Sequence, residues 1–208
     1  MKHGIDVSFA NGEIDWDAAK ASLQPDFVYA RASYGTNPSD DDGDLFRRNH
    51  DECKRLGIPF GCYHFFLFGQ DGAAQAQHFL EQINGRYGQL RAMVDVEEGS
   101  GFGESPAQMI ANLAAFNEVV EKALGARVLI YTNNDTWNGR MGGTSDFSGH
   151  QLWVANPTSA ASPYLPSGWD TWTIWQYDDS GVLLKLNGET CDVDLDRFAG
   201  DDLSAIER

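Results

Sequence analysis

Apolar residues along this chain recur with the two-residue period of strands and then with the 3.6-residue period of helices, in alternation. Ile5 to Phe9 reads as a strand with Asp6 in its middle, and Asn11-Gly12 as a turn. Asp15 caps a short helix that carries Trp16, Ala19 and Leu23 on one side. A second strand, Phe27 to Ala32, leads through the acidic loop Asp40-Asp41-Asp42 into a helix with Leu45, Phe46, Asn49, Cys53 and Leu56 in line, stopped by Gly57 and Pro59. Phe60 to Phe66 is the third strand, and the third helix runs from an Asp71 cap through Ala76, Phe79, Leu80 and Ile83 to Gly85. The fourth strand lies within Arg91 to Gly103, RAMVDVEEGSGFG, and breaks into a glycine-rich loop. Ser105-Pro106-Ala107-Gln108 opens the fourth helix as a capping box, and Met109, Ile110, Leu113, Phe116, Val120 and Leu124 form its stripe up to Gly125. Val128 to Thr132 is the fifth strand.

Beyond that point the pattern changes. Glycine and polar residues between Asn133 and His150 leave room only for a short helix. Gln151 to Ala155 and Thr171 to Tyr177 read as strands separated by a loop from Asn156 to Gly168. A last short strand or pair lies between Val182 and Asp194, and Gly200 to Arg208 reads as a ragged helix. Strands alternating with helices imply parallel pairing and right-handed crossovers, and eight strands suffice to close a barrel. An open doubly wound sheet is disfavoured, because neither G-x-G-x-x-G nor a Walker-type loop follows the first strand. The expected architecture is a single α/β domain, a TIM-like barrel over residues 1–200 with helices missing on one side, and a short tail at 201–208.

Composition narrows the partners. Acidic residues outnumber basic ones 31 to 15, a formal charge of -16 that repels nucleic acid and anionic membrane surfaces while accommodating a neutral carbohydrate. No apolar run approaches the length of a bilayer span. Cys53, Cys62 and Cys191 lack C-x-x-C spacing or a nearby His cluster, so structural zinc is not expected; one bridge with a free thiol, or three reduced buried thiols, both fit. Met1-Lys2-His3-Gly4 does not read as a signal peptide, since apolar strand follows at once.

The candidate chemistry centres on Asp95 and Glu97. Two residues apart on a strand, they point to the same face with α-carbons roughly 6.6 Å apart. An ionised Asp95 disfavours ionisation of Glu97, which then holds a proton near neutral pH, the equipment for cleaving a glycosidic bond. D-x-E also occurs in solvated strand ends, so the context has to decide. In a parallel barrel, polar residues late in several strands meet at one mouth. Asp6 and Asp194 meet that description, and Tyr63, His64, Tyr131, Trp153, Trp175, Gln176 and Tyr177 add aromatic and amide surface suited to sugar rings. Duller readings stand beside these: Trp172 and Trp175 as core, His64 as a hydrogen-bonded barrel histidine, Arg31 as a neutraliser of buried carboxylates, and Asp192 and Asp196 as surface acids.

With these residues assembled, the chain resembles glycoside hydrolase family 25, the Chalaropsis-type lysozymes. The matching segments are GIDVS from Gly4, FVYARA from Phe27, GCYHF from Gly61, MVDVE from Met93, LIYT from Leu129, LWVA from Leu152, WQY from Trp175 and VDLD from Val193. The resemblance implies a flattened (β/α)5(β)3 barrel that hydrolyses the β-1,4 bond from N-acetylmuramic acid to N-acetylglucosamine in bacterial peptidoglycan, with retention and without cofactor or metal. It makes Glu97 the general acid and then base. Asp95 orients the substrate acetamide or acts as nucleophile or electrostatic stabiliser, and Asp6 and Asp194 complete the acids. Arg31, His64, Tyr63, Tyr131, Trp153 and Gln176 are the expected substrate contacts. The chain departs from many members in having Ser33-Tyr34-Gly35 in place of Thr-Glu-Gly. The expected context is a monomer acting extracellularly or released by a phage as an endolysin. Two rivals use the same residues: a divalent-metal hydrolase with Asp6, Asp95, Glu97 and Asp194 as ligands, and a catalytically silent carbohydrate-binding barrel.

Overall fold

The computed structural model describes residues 1–98 and 103–208. Eight strands close a barrel in sequence order: β1 (Lys2–Val7), β2 (Phe27–Tyr34), β3 (Phe60–Phe65), β4 (Met93–Val96), β5 (Leu129–Thr132), β6 (Gln151–Ala155), β7 (Ile174–Leu184) and β8 (Thr190–Phe198). Neighbours from β1 to β7 run parallel, whereas β8 is antiparallel to both β7 and β1 and closes the ring. Helices α1 (Trp16–Ser22), α2 (Gly43–Leu56), α3 (Gly72–Ile83) and α4 (Pro106–Leu124) follow the first four strands, and a single π-helical turn, Asp135–Arg140, follows β5.

The helix starts and stops follow the chemistry of their ends. Asp15, Asp71 and Ser105 each accept a backbone N–H of the first turn, from Ala18, Ala74 and Gln108. Gly57 and Gly125 end α2 and α4 in the left-handed conformation, whereas α3 ends one residue before the expected glycine, on Asn84.

Side chains alternate between two apolar layers. Val28, Ala30, Cys62, Val94 and Ile130 face the helices. Phe27, Tyr29, Met93, Leu129, Trp153, Ile174 and Phe198 fill the barrel. Two glycines make room for that filling: a Cβ on Gly4 would stand 2.2 Å from the Phe27 ring, and one on Gly61 would stand 2.3 Å from the Tyr29 ring. From below, the 3-10 turn Leu203–Ile206 brings Ile206 against this cluster, and Arg91 N–H donates to the Ile206 carbonyl at 2.7 Å.

The last third differs from expectation in one respect. The segments expected as one strand ending at Tyr177 and another short strand or pair are the two long arms of a hairpin, β7 and β8. Asp178-Asp179-Ser180-Gly181 looks like loop because it lies where β7 leaves the barrel with two register shifts, in a part of the strand whose side chains are mostly exposed. All three cysteines are free thiols; Cys53 and Cys62 are buried and Cys191 is half-buried.

Candidate active site

The floor of the barrel mouth is a hydrogen-bonded row of inward side chains. Asp6 on β1 pairs in register with Asp194 on β8, and Gly4 with Asp196. Gln176 on β7 donates through Nε2 to Asp6 Oδ2 at 2.9 Å, and its Oε1 accepts from the Tyr131 hydroxyl at 3.0 Å. Trp153 Nε1 donates to Asp196 Oδ1 at 3.1 Å. Asp196 and Asp6 lie on the same inward face of the β1–β8 ladder, and each carboxyl acts on the ionisation of the other.

Above this row sits the acid pair. Asp95 is in register with Phe65 on one side and Tyr131 on the other, while Glu97 follows the last residue of β4. Asp95 is buried and Glu97 half-buried. Among the described residues, Asp95 Oδ1 is buried without any hydrogen-bond donor. The expected glycine loop begins at Gly99, and residues 99–102 lie outside the described residues.

Five carboxyls crowd this volume, and the titration of each is displaced upward. Burial raises Asp95 well above the usual carboxylate range, reinforced by the charges of Glu97 and Asp6 and opposed by Arg31. Burial and then Asp194 raise Glu97. Asp6 is pushed to about 8 by burial first and Asp194 second, and Asp194 to about 6 by burial and the charge of Asp179. Asp196 is also driven well up, again chiefly by burial. Both members of the expected pair are thus displaced upward, Asp95 as well as Glu97. The deeper of the two, Asp95, has an oxygen that no donor among the described residues stabilises.

Tyr63 and Tyr131 face this set, since the charges of Asp6 and Asp95 act on both hydroxyls. Other expected contacts are placed differently. Trp153 is fully buried, edge-on to Tyr29 at 4.9 Å between ring centroids, and its polar edge is committed to Asp196; it holds an acid and presents no face to a sugar. His64 points to the opposite side of β3, stacked on Phe116 of α4 at 4.9 Å. Its Nδ1 accepts from the Ser33 hydroxyl at 2.8 Å and its Nε2 donates to Gln75 Oε1 at 3.2 Å. Burial depresses it to about 3, so it is a neutral link between sheet and helices and not a substrate contact. Trp175 and Tyr177 likewise face outward, with the Arg197 guanidinium 5.3 Å and 3.8 Å from their ring centroids.

Arg31 is buried and bound through Nε to Asp42 Oδ1 at 2.7 Å, as a neutraliser of buried charge. It also backs a cleft of about 540 Å³ lined by Phe9, Tyr34, Ser39, Asp40 and Asp41. The Phe9 ring covers the guanidinium at 4.7 Å, and Tyr34 stacks on Phe65 at 4.7 Å. A β-bulge between Arg31 and Ser33 lets Arg31 face inward while Ser33 pairs with His64.

Asp196 is the participant that sequence reasoning passed over. Asp192 is exposed, as a surface acid should be, but Asp196 is completely buried. Its signal was the two-residue spacing from Asp194, the same spacing that singles out Asp95 and Glu97.

The barrel that carries this mouth of carboxyls is shared with known proteins. The family model described as Glycosyl hydrolases family 25 matches residues 5–186. The chain belongs to glycosyl hydrolases family 25. Among curated relatives of this family 25 chain, Lysozyme M1 of Streptomyces globisporus is 34% identical over 95% of the chain and 67% of its own length. The N,O-diacetylmuramidase of a Chalaropsis species is 36% identical over 85% of the chain and 88% of its own length. A bacterial lysozyme from Streptomyces coelicolor superposes with a TM-score of 0.84 at 31% identity, covering 99% of this chain and 96% of that one. A family GH25 lysozyme from Aspergillus fumigatus gives 0.79 at 28% identity, covering 96% and 94%.

Proposed function

We propose that this family 25 glycoside hydrolase is a muramidase that cleaves the β-1,4 bond from N-acetylmuramic acid to N-acetylglucosamine in bacterial peptidoglycan, with retention. The observation that carries this reading is Asp95 Oδ1, a buried carboxyl oxygen at the mouth that meets no donor among the described residues. Buried polar atoms are normally paired, so an orphaned acceptor in an open site fits a donor that arrives with the substrate. The N–H of a 2-acetamido group is such a donor.

Its arrival also sets the protons. A donor at Asp95 Oδ1 stabilises the charged form of Asp95 and so leaves the pair's proton on Glu97. Glu97 then gives that proton to the glycosidic oxygen as the C1–O bond breaks, while the acetamide oxygen closes on C1 and Asp95 balances the positive charge that develops. Glu97, now a carboxylate, takes a proton from water as the water oxygen attacks C1 and the acetamide is released. Two displacements at C1 give retention.

The same carboxyls are the ligands of the divalent-metal alternative, although among the described residues no group of three or more His, Cys, Asp or Glu is arranged to hold a metal ion. Clearing of a purified wall suspension in EDTA separates the two. The muramidase reading expects undiminished clearing; loss in EDTA restored by added metal would contradict it. No helix among the described residues is long and apolar enough to cross a membrane. The enzyme meets its substrate at the cell wall, reached by secretion or by release from a phage-infected cell.

A further inference from the structure

The row under the acid pair sets two buried carboxyls side by side on one face, and that arrangement calls for a proton. Asp196 gives one oxygen to Trp153 Nε1–H, and among the described residues Oδ2 meets no N–H or hydroxyl donor. Its inward-facing neighbour on β1, one step along the ladder, is the Asp6 carboxyl, and each acts on the ionisation of the other. Asp6 already accepts from Gln176. Two carboxylates side by side repel, so one of the pair must carry a hydrogen.

We infer that Asp196 is a positioning residue: protonated, it donates to Asp6 and clamps that carboxyl between itself and Gln176. Burial assigns the proton to Asp196: it is completely buried whereas Asp6 is 9% exposed, and each otherwise has one donor, Trp153 for Asp196 and Gln176 for Asp6. The clamp has a consequence four strands away. With Nε2 committed to Asp6, the Gln176 oxygen must face Tyr131, so the tyrosine hydroxyl donates downward into the row. Trp153, Asp196, Asp6, Gln176 and Tyr131 thus form one directed chain across β6, β8, β1, β7 and β5, with each donor assigned. Asp6 and Tyr131 are the members that act electrostatically on Asp95, or on whose hydroxyl Asp95 acts. The proposal rests on the muramidase reading for its kinetic effect, but not for the hydrogen bond itself.

Two variants of the full chain test it. Asp196→Ala removes the donor to Asp6 and orphans the Trp153 N–H; kcat for wall hydrolysis falls at least about tenfold with KM little altered. Asp196→Asn keeps a donor for Asp6 and an acceptor for Trp153, and recovers most of that loss. An Asp196→Asn enzyme as impaired as Asp196→Ala would overturn the proposal, because it would make the negative charge the active feature. Wild-type kcat in folded Asp196→Ala would overturn it too. Infrared difference spectroscopy of wild type against Asp196→Asn at neutral pH decides the matter where Asp196→Ala does not fold or where wall activity is absent. Loss of one protonated-carboxyl carbonyl component supports the assignment, and identical carboxyl regions refute it.

Discussion

Gln176 donates to Asp6 at 2.9 Å and, by that one contact, turns its own oxygen toward the Tyr131 hydroxyl 3.0 Å away. A neutral amide thus joins an acid on the first strand to a phenol on the fifth, beneath the pair expected to do the chemistry.

Replacing that amide by an apolar side chain leaves a buried carboxyl and a buried hydroxyl without their partner. Gln176→Leu is expected to lose about 1–3 kcal/mol of stability, the usual cost of orphaned buried polar groups. Denaturant unfolding of the variant and the wild type measures it.

The displaced carboxyls also give stability a sign with pH. A carboxyl whose folded value is raised stabilises fully below its unfolded value, and that contribution is lost as pH rises through the folded value. For Asp194 the loss runs from about 4 to about 6, and for Asp6 from about 4 to about 8. His64 works in the other direction: depressed to about 3, it costs stability as pH falls below about 6.5. Above about pH 6.5 only the carboxyl contribution remains, so the thermal midpoint is expected to decline toward about pH 8. Asp6→Asn should flatten that decline, which a series of melts resolves.

His64 itself is expected to matter for the fold alone. His64→Ala opens a hole beside Phe116 and strips the Ser33 hydroxyl of its acceptor, at a cost of about 2–4 kcal/mol. Activity per folded molecule, measured well below the melting transition, should match the wild type.

If the acetamide supplies the donor for Asp95, the wall's own chemistry becomes a test. Chemically de-N-acetylated peptidoglycan carries an amine in place of the amide and lacks the oxygen that closes on C1. Its hydrolysis should be slower by at least about 100-fold, the scale of losing one positioned catalytic group. Reducing-end release from native and treated wall gives the comparison.

The barrel was legible because local signals agree along its first two thirds: caps at Asp15, Asp71 and Ser105, stops at Gly57 and Gly125, and strands between them. The β7–β8 hairpin was not, since a strand that leaves the barrel loses the apolar alternation that marks it. Within the site, two-residue spacing identified inward acids, but the choice between a sugar contact and a core contact was beyond it. Trp153 and His64 lie on opposite faces of the sheet, and both are spent on internal partners: a buried acid for one, Ser33 and Gln75 for the other. Such partners are distant in sequence and become visible only when the strands are in register. The upward displacement of Asp95 escaped the sequence for a similar reason. It depends on depth and on Asp6, Asp194 and Arg31 as much as on the pair itself.

The most direct test of the central claim is the identity of the sugar end that the enzyme creates. Purified peptidoglycan digested with the wild type, then reduced and hydrolysed, should show new reducing ends at N-acetylmuramic acid, and Glu97→Gln should lower their rate of appearance by about 100-fold or more. New ends at N-acetylglucosamine, release of peptides without new sugar ends, or a Glu97→Gln enzyme working at the wild-type rate would contradict it.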